Sequence, residues 1–337
     1  MKPLIPFKTT IPLILIPLRL ACLGLAPMAQ AVGPDTEGAI PGSNNGEGIG
    51  VLVSRTTGVW NTGTGFEALN HLTAGNQNTA TGLRALTNDT NGGFNTATGV
   101  LSLFSNTSGF FNSATGAYSL ANNISSNNNT ANGYAALYRN TADNNTATGF
   151  AALYHNTTGD FNTAIGAEAL ENFDTGSNNT ATGTNVLFFS TSGEGNTATG
   201  SNALLNSTTD SHNTAIGFST LFALDGGDDN VALGANAGHA LQTGDGNVYI
   251  GADIQGVTGE SNHSYIRNIN TTTVSGGGTD TVTVNLATGL LGHLSSSRRY
   301  KEDIKPMDRA SEALYRLKPV SYRYKKEIDS TQSPAFG

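Results

Sequence analysis

The sequence predicts an all-β protein whose body is a parallel β-solenoid with coils of about 17 residues. Three regularities carry that reading. Glycines stand at 65, 82, 99, 116, 133, 149, 166, 183, 200, 217, 234 and 251, every spacing being 17 except one of 16 between Gly133 and Gly149. Four residues before each of these twelve glycines sits an asparagine, from Asn61 to Asn247, and four residues after the first ten sits a leucine, from Leu69 to Leu221. Nine of the twelve units also carry a glycine seven residues earlier, as at Gly58, Gly75, Gly109 and Gly244. A fixed period of this kind marks stacked structural units, each completing the core of its neighbour.

The unit reads approximately Gly-x-x-Asn-Thr-Ala-Thr-Gly-x-x-Ala-Leu plus a five-residue polar return. Asn-Thr-Ala-Thr-Gly is a poor helix former, and helical solenoid repeats need 30 or more residues. A coil with two short strands and two tight corners fits the length. Glycine and asparagine take the left-handed backbone that corners require. Twelve coils about 4.8 Å apart make a rod of roughly 55–60 Å. Asparagines stacked in register are placed to form hydrogen-bonded ladders along it.

Variation among the copies predicts which face is buried. Three residues before the glycine stands Thr or Ser ten times and then Val231 and Val248. One residue before it, Thr gives way to Ile165, Ile216, Leu233 and Ile250. Exchange of Thr with branched aliphatics suggests positions that face inward. The residue between them is Ala in ten copies, with Gly63 and Tyr249 at the ends, and by the strand period of two it points the other way. A small outward rank suggests close approach by another rod, and so a homo-oligomer associated along the Ala face.

Composition agrees with a structural body. Of 337 residues, 42 are glycine, 37 are asparagine and 12% are charged, far from collagen on one side and from charged disordered tails on the other. Residues 32–297 hold 19 acids against four arginines, and no lysine occurs between Lys8 and Lys301. An acidic, lysine-free body repels phosphate backbones, so nucleic acid is not expected as a partner. Ten of the seventeen basic residues lie between Arg298 and Lys326, which sets the tail apart from the body.

Residues 1–31 read as an export signal: Lys2 and Lys8, an apolar run from Ile11 to Leu25, and Ala29-Gln30-Ala31 for cleavage after Ala31. Arg19, Pro12 and Pro17 interrupt the apolar helix of about 20 residues that spanning a membrane requires. The expected product is secreted or on the cell surface, with no transmembrane span in the mature chain. Removal of the signal takes away Cys22, the only cysteine, and with it any disulfide or thiol nucleophile. The expected order is then a linker or cap at 32–57, twelve coils at 58–255, a β-rich neck at 256–295 and a separate module from 296.

The Asn-Thr-Ala-Ile-Gly units at 162–166 and 213–217, with Ala-Leu at 169–170 and 203–204, resemble the head repeats of YadA-like trimeric adhesins. They resemble still more the bacterial and phage fibre proteins that carry such repeats ahead of a self-cleaving chaperone. That resemblance implies a left-handed parallel β-roll and a homotrimer. The run Ser-Ser-Arg-Arg-Tyr-Lys-Glu-Asp-Ile-Lys at 296–305, followed by Ala310-Ser311-Glu312-Ala313-Leu314 and Leu317-Lys318-Pro319-Val320, resembles the start of the peptidase S74 intramolecular chaperone, an α+β domain. The resemblance implies that this module assists trimer assembly and then cuts itself free through Ser296 and Lys301. The lysine would take the hydroxyl proton and the serine would attack a neighbouring peptide carbonyl. Family members often have Asp directly after the serine, where this chain has Ser297. In the tail, Asp308 is placed to cap a helix over 309–317, and Val320, Tyr322 and Tyr324 alternate as a strand. The family's later strands and its long helix would lie beyond Gly337.

Other chemistry finds little footing. The six histidines lack metal-ligand spacing, Asp225, Asp228 and Asp229 lack a calcium-loop pattern, and no phosphate loop occurs, so neither cofactor nor metal is expected. The body is not read as an enzyme; at most the tail is an intramolecular serine autoprotease. The expected function is that of an exported trimeric, adhesin-like fibre, whose receptor would be a host or surface glycan or protein. Two alternatives remain. Thr-Ala-Thr at 79–81, 96–98, 146–148, 180–182 and 197–199 would suit ice binding if the threonines faced water. A tailspike-like glycan-binding protein is the other, though no recurrent carboxylate pair marks a hydrolase.

Overall fold

The computed structural model describes residues 44–268 in full and, beyond them, the backbone of four short strands. Two compact units divide near residue 270. The first is the solenoid. Fourteen three-residue strands, β1 (Asn45–Glu47) through β14 (Ser264–Ile266), pair in chain order as one parallel sheet. Register is strict: Thr163, Ala164 and Ile165 face Thr180, Ala181 and Thr182 of the next coil. No helix occurs among the described residues. The sheet therefore extends one coil past the glycine-marked series at each end.

Each coil contains one strand, not two. The remaining residues form turns whose N–H groups bond to carbonyls of adjacent coils, as in Leu170 N to Val186 O at 3.0 Å and Glu168 N to Phe150 O at 2.8 Å. The corners differ from expectation as well. The buried leucine of each coil is itself left-handed, with φ of 53° at Leu170 and 51° at Leu204. This conformation costs a β-carbon-bearing residue roughly 1–2 kcal/mol. The leucine side chain gains the core in exchange.

Two positions explain the invariant letters. Gly166 has φ of +134°, and a β-carbon there would lie 2.2 Å from the carbonyl oxygen of Gly183. Only glycine fits where corners of successive coils stack so closely. The asparagine rank forms a one-way clamp. Asn162 Oδ1 accepts the backbone N–H of Asn179 at 3.0 Å, and Asn162 Nδ2 donates to Gly176 O at 2.9 Å. Each asparagine thus holds the next coil through both atoms of its amide, and the rank is fully buried from Asn61 to Asn247 except for slight exposure at Asn112.

The core corrects the predicted facing of the strand. Every strand alanine from Ala80 to Ala232 is buried, together with the leucine rank, while the flanking Thr, Val and Ile positions are exposed or half-buried. The alanines and the leucine rank together make one continuous core. The Thr-to-Ile exchange reflects the strand preference of β-branched residues on a water-facing surface. Association along an Ala face is therefore excluded.

The C-terminal end of the solenoid is closed by aromatics. Tyr249 replaces the strand alanine and is buried, and its ring stacks on Tyr265 at 5.5 Å with an interplanar angle of 2°. Glu260 accepts from both hydroxyls, at 2.6 Å from Tyr249 and 2.8 Å from Tyr265. The carboxylate holds the two rings as a lid on the apolar interior. In the second unit, strands β15 (Val282–Val284) and β16 (Leu291–His293) pair antiparallel, as do β17 (Ser321–Arg323) and β18 (Pro334–Phe336).

Candidate functional surfaces

The outward face of the strand is the most distinctive surface of the solenoid. Thr, Val and Ile side chains project from it in two ranks, and the outer rank turns aliphatic toward the C-terminus at Ile216, Leu233, Ile250 and Ile266. Larger side chains line both borders. On one side stand Trp60, Phe94, Phe111 and Phe161, each directly before a ladder asparagine and each left-handed. On the other, directly after the corner glycines, stand Phe66, Leu83, Val100, Tyr134, Phe150 and Phe218. Neighbours within a border stack: Phe94 on Phe111 at 4.9 Å and Tyr134 on Phe150 at 5.4 Å.

Sixteen of the 21 exposed large hydrophobic residues among the described residues belong to this strip. From ordinary side-chain areas it exposes on the order of 1,000 Å² of apolar surface, where monomers rarely show more than a few hundred. Sequence reasoning found the Thr and Ile positions and assigned them to the wrong side. The bordering aromatics went unnoticed because each rank is only partly aromatic; the signal was their recurrence one residue before Asn and one after Gly.

Polar groups buried within the coils form a second ladder seven residues after the glycine. Asn156 donates to Asn140 Oδ1 at 2.7 Å, Asn123 to Asn106 Oδ1 at 3.0 Å, and Asn106 to Asp89 Oδ1 at 3.2 Å. Burial pushes the Asp89 carboxyl up to about 7, against bonds from the Gly92 N–H and Asn106 that lower it. No group of three or more His, Cys, Asp or Glu residues among the described residues is placed to hold a metal ion. No helix of the described residues is long and apolar enough to cross a membrane.

The expected self-cleavage pair, Ser296 and Lys301, lies outside the described residues, as does the expected signal at 1–31. Residues 296–337 match the chaperone of endosialidase family, Peptidase S74. The match covers the module expected there, and the repeat body lies outside it. No curated protein and no solved structure matches the chain.

Proposed function

We propose that the chain is an exported fibre subunit whose rods associate as a homotrimer along the apolar strip, with the C-terminal module assisting assembly and cutting the chain beside Ser296. The observation that carries this reading is the strip itself, joined in one chain to a chaperone-of-endosialidase match. An interface of standard size covers about 800 Å² per partner, and the strip is of that order. Its two borders also differ, one before the asparagine and one after the glycine. In cyclic symmetry one border of a rod meets the other border of the next, and three such contacts close. The surface left outward would then present the turns to an adhesive partner. The family implies that Lys301 takes the Ser296 hydroxyl proton as its Oγ attacks a neighbouring carbonyl.

Light scattering on the full gene product should give three times the chain mass. Phe150→Asp combined with Ile216→Asp should give folded monomers by the same measurement and circular dichroism. Ser296→Ala should abolish a cut seen by mass spectrometry. A monomeric parent protein would refute the assembly, and a cut that survives Ser296→Ala would refute the serine's role.

One observation favours a second reading. The Thr-Ala-Thr ranks face outward, exposed or half-buried, which meets the condition that ice binding requires. Against it, Asn132, Ile165 and Ile216 break the outer rank, and bulky aromatics border the face. Thermal hysteresis in the monomeric double variant, with its threonine ranks exposed, would decide for ice.

A further inference from the structure

A groove runs along the rod on a different part of the coil, between the side chains six and eight residues after each glycine. One stretch of about 450 Å³ is lined by Arg139, His155, Thr157, Asn172, Asp174 and Thr191. A second, of about 620 Å³, is lined by Phe189, Asn206, Thr208, Ala223, Asp225 and others. Phe189 and Thr191 sit on the same coil, so these two open stretches adjoin along the rod. The floor of the groove is the buried rank between the two lips, including Asn156, Phe173, Ser190 and Ser207.

This region is also where the repeat departs from its own rule. Within the body, the 16-residue coil has lost its residue just beyond the groove, between Thr141 and Ala142: Asn129 reaches Ala142 O across 13 residues where Asn145 spans 14, and otherwise only the terminal coil, Asn247 to Glu260 O, is as short. Beside that shortened corner, Tyr138 stacks on Tyr154 at 4.9 Å and Tyr154 packs edge-on against His155 at 4.6 Å. Arg139, one of four arginines in the body, takes no ion pair. Folding of a periodic rod requires none of these departures, and they cluster.

We propose that this groove binds a linear neutral saccharide laid along the rod axis. The Arg139 guanidinium, the Oδ1 atoms of Asn172 and Asn206 and the Oδ2 atoms of Asp174 and Asp225 line the lips as donors and acceptors suited to hydroxyls; the other amide and carboxylate atoms bond within the rod, Asn172 to Phe188 O, Asn206 to Phe222 O, Thr157 to Asp174 and Thr208 to Asp225. His155, Phe189 and the adjoining tyrosines supply the apolar surface that sugar C–H faces pack against. The coil rise of about 4.8 Å is close to the advance of one pyranose in an extended chain, so successive sugars meet equivalent positions. A peptide is disfavoured because the backbone of both lips is already engaged, as in His155 N to Glu171 O and Thr157 N to Asp174 O. An anionic polymer is disfavoured by the acidic body, which holds 19 acids against four arginines between residues 32 and 297. The groove lies away from the apolar strip, so the proposal stands whether or not the rods trimerise.

The test is calorimetric titration of the full chain with β-linked glucose and mannose oligomers from dimer to hexamer, with oligogalacturonate as the acidic control. Neutral oligomers should bind, with affinity rising with length as more coils are engaged. Arg139→Ala and, separately, Asp174→Asn should each weaken the hexamer about tenfold, with the circular dichroism spectrum unchanged. Absence of heat with every neutral oligomer, preference for the acidic chain, or full binding by both variants would overturn the proposal.

Discussion

Asp89→Asn should stabilise the solenoid at neutral pH, and the gain should vanish in acid. Asp89 is buried at the start of a ladder whose other members, at 106, 123, 140 and 156, are all asparagine. Its Oδ1 accepts from the Gly92 N–H at 2.9 Å and from Asn106, while Oδ2 has no partner. The carboxyl titrates near 7 when folded, against 3.8 when free. Because the folded value is raised, the favourable contribution is fully present below the free value. It is lost as pH rises from 3.8 to about 7 and stays lost above. A shift of roughly 3 units corresponds to about 4 kcal/mol. Asparagine carries no charge and adds a donor that would reach Gly92 O, as Asn156 reaches Gly159 O at 2.9 Å. Urea melts of parent and variant should therefore differ by about 4 kcal/mol more at pH 8 than at pH 4, in favour of the variant. Using the difference between the two proteins cancels the other titrating groups. A gap independent of pH, or a parent more stable at pH 8, would refute the account.

The other predictions follow from the same contacts. Gly166→Ala places a β-carbon against Gly183 O at a positive φ, so thermal melting should fall by several degrees or the coil should open, read by hydrogen exchange at Gly183 and its neighbours. Asn162→Ala leaves the Asn179 N–H and the Gly176 carbonyl unpaired in the core, costing about 2–5 kcal/mol in urea melts, and Asn162→Asp should not restore it because the donor to Gly176 O is lost. Ala164→Leu should destabilise by about 1–3 kcal/mol through overpacking, while Ile165→Thr in the monomeric variant should change stability by less than about 1 kcal/mol. Glu260→Ala should release the tyrosine lid, seen as faster exchange and altered tyrosine absorption from Tyr249 and Tyr265 with the centre of the rod unaffected.

The parallel solenoid and its period were legible because stacking imposes identical demands on every coil. Gly166 and Asn162 recur as letters since no other residue fits the contact or makes both bonds. What the letters could not show was direction. Thr163-Ala164-Ile165 alternates equally well with either face inside, and a rule that equates aliphatic with buried chose wrongly. The deciding information was the leucine rank: Leu170 is fully buried in the same core as Ala164, so the alanine face of the strand is the inner one. The left-handed leucines escaped for a related reason. Local preference opposes that conformation at Leu170, and only burial with neighbouring coils favours it.

Placing alanine inside has a consequence for how the rod evolves its surfaces. The interior demands are met mainly by Ala, Leu, Asn and Gly at fixed positions, with a few others such as Phe173, Val186 and Ser190 buried beside them, and the side chains of the strand flanks and the two lips project outward. Substitution there does not disturb the stack, so ranks are free to become aromatic, aliphatic or polar coil by coil. The strip around the strand uses this freedom toward apolar side chains, and the groove beyond the leucine uses it toward Arg139, His155 and Asp174. The two surfaces occupy different arcs of the same coil. A rod that paired through one arc would therefore keep the other open along its length, so that a ligand held there would not compete with assembly.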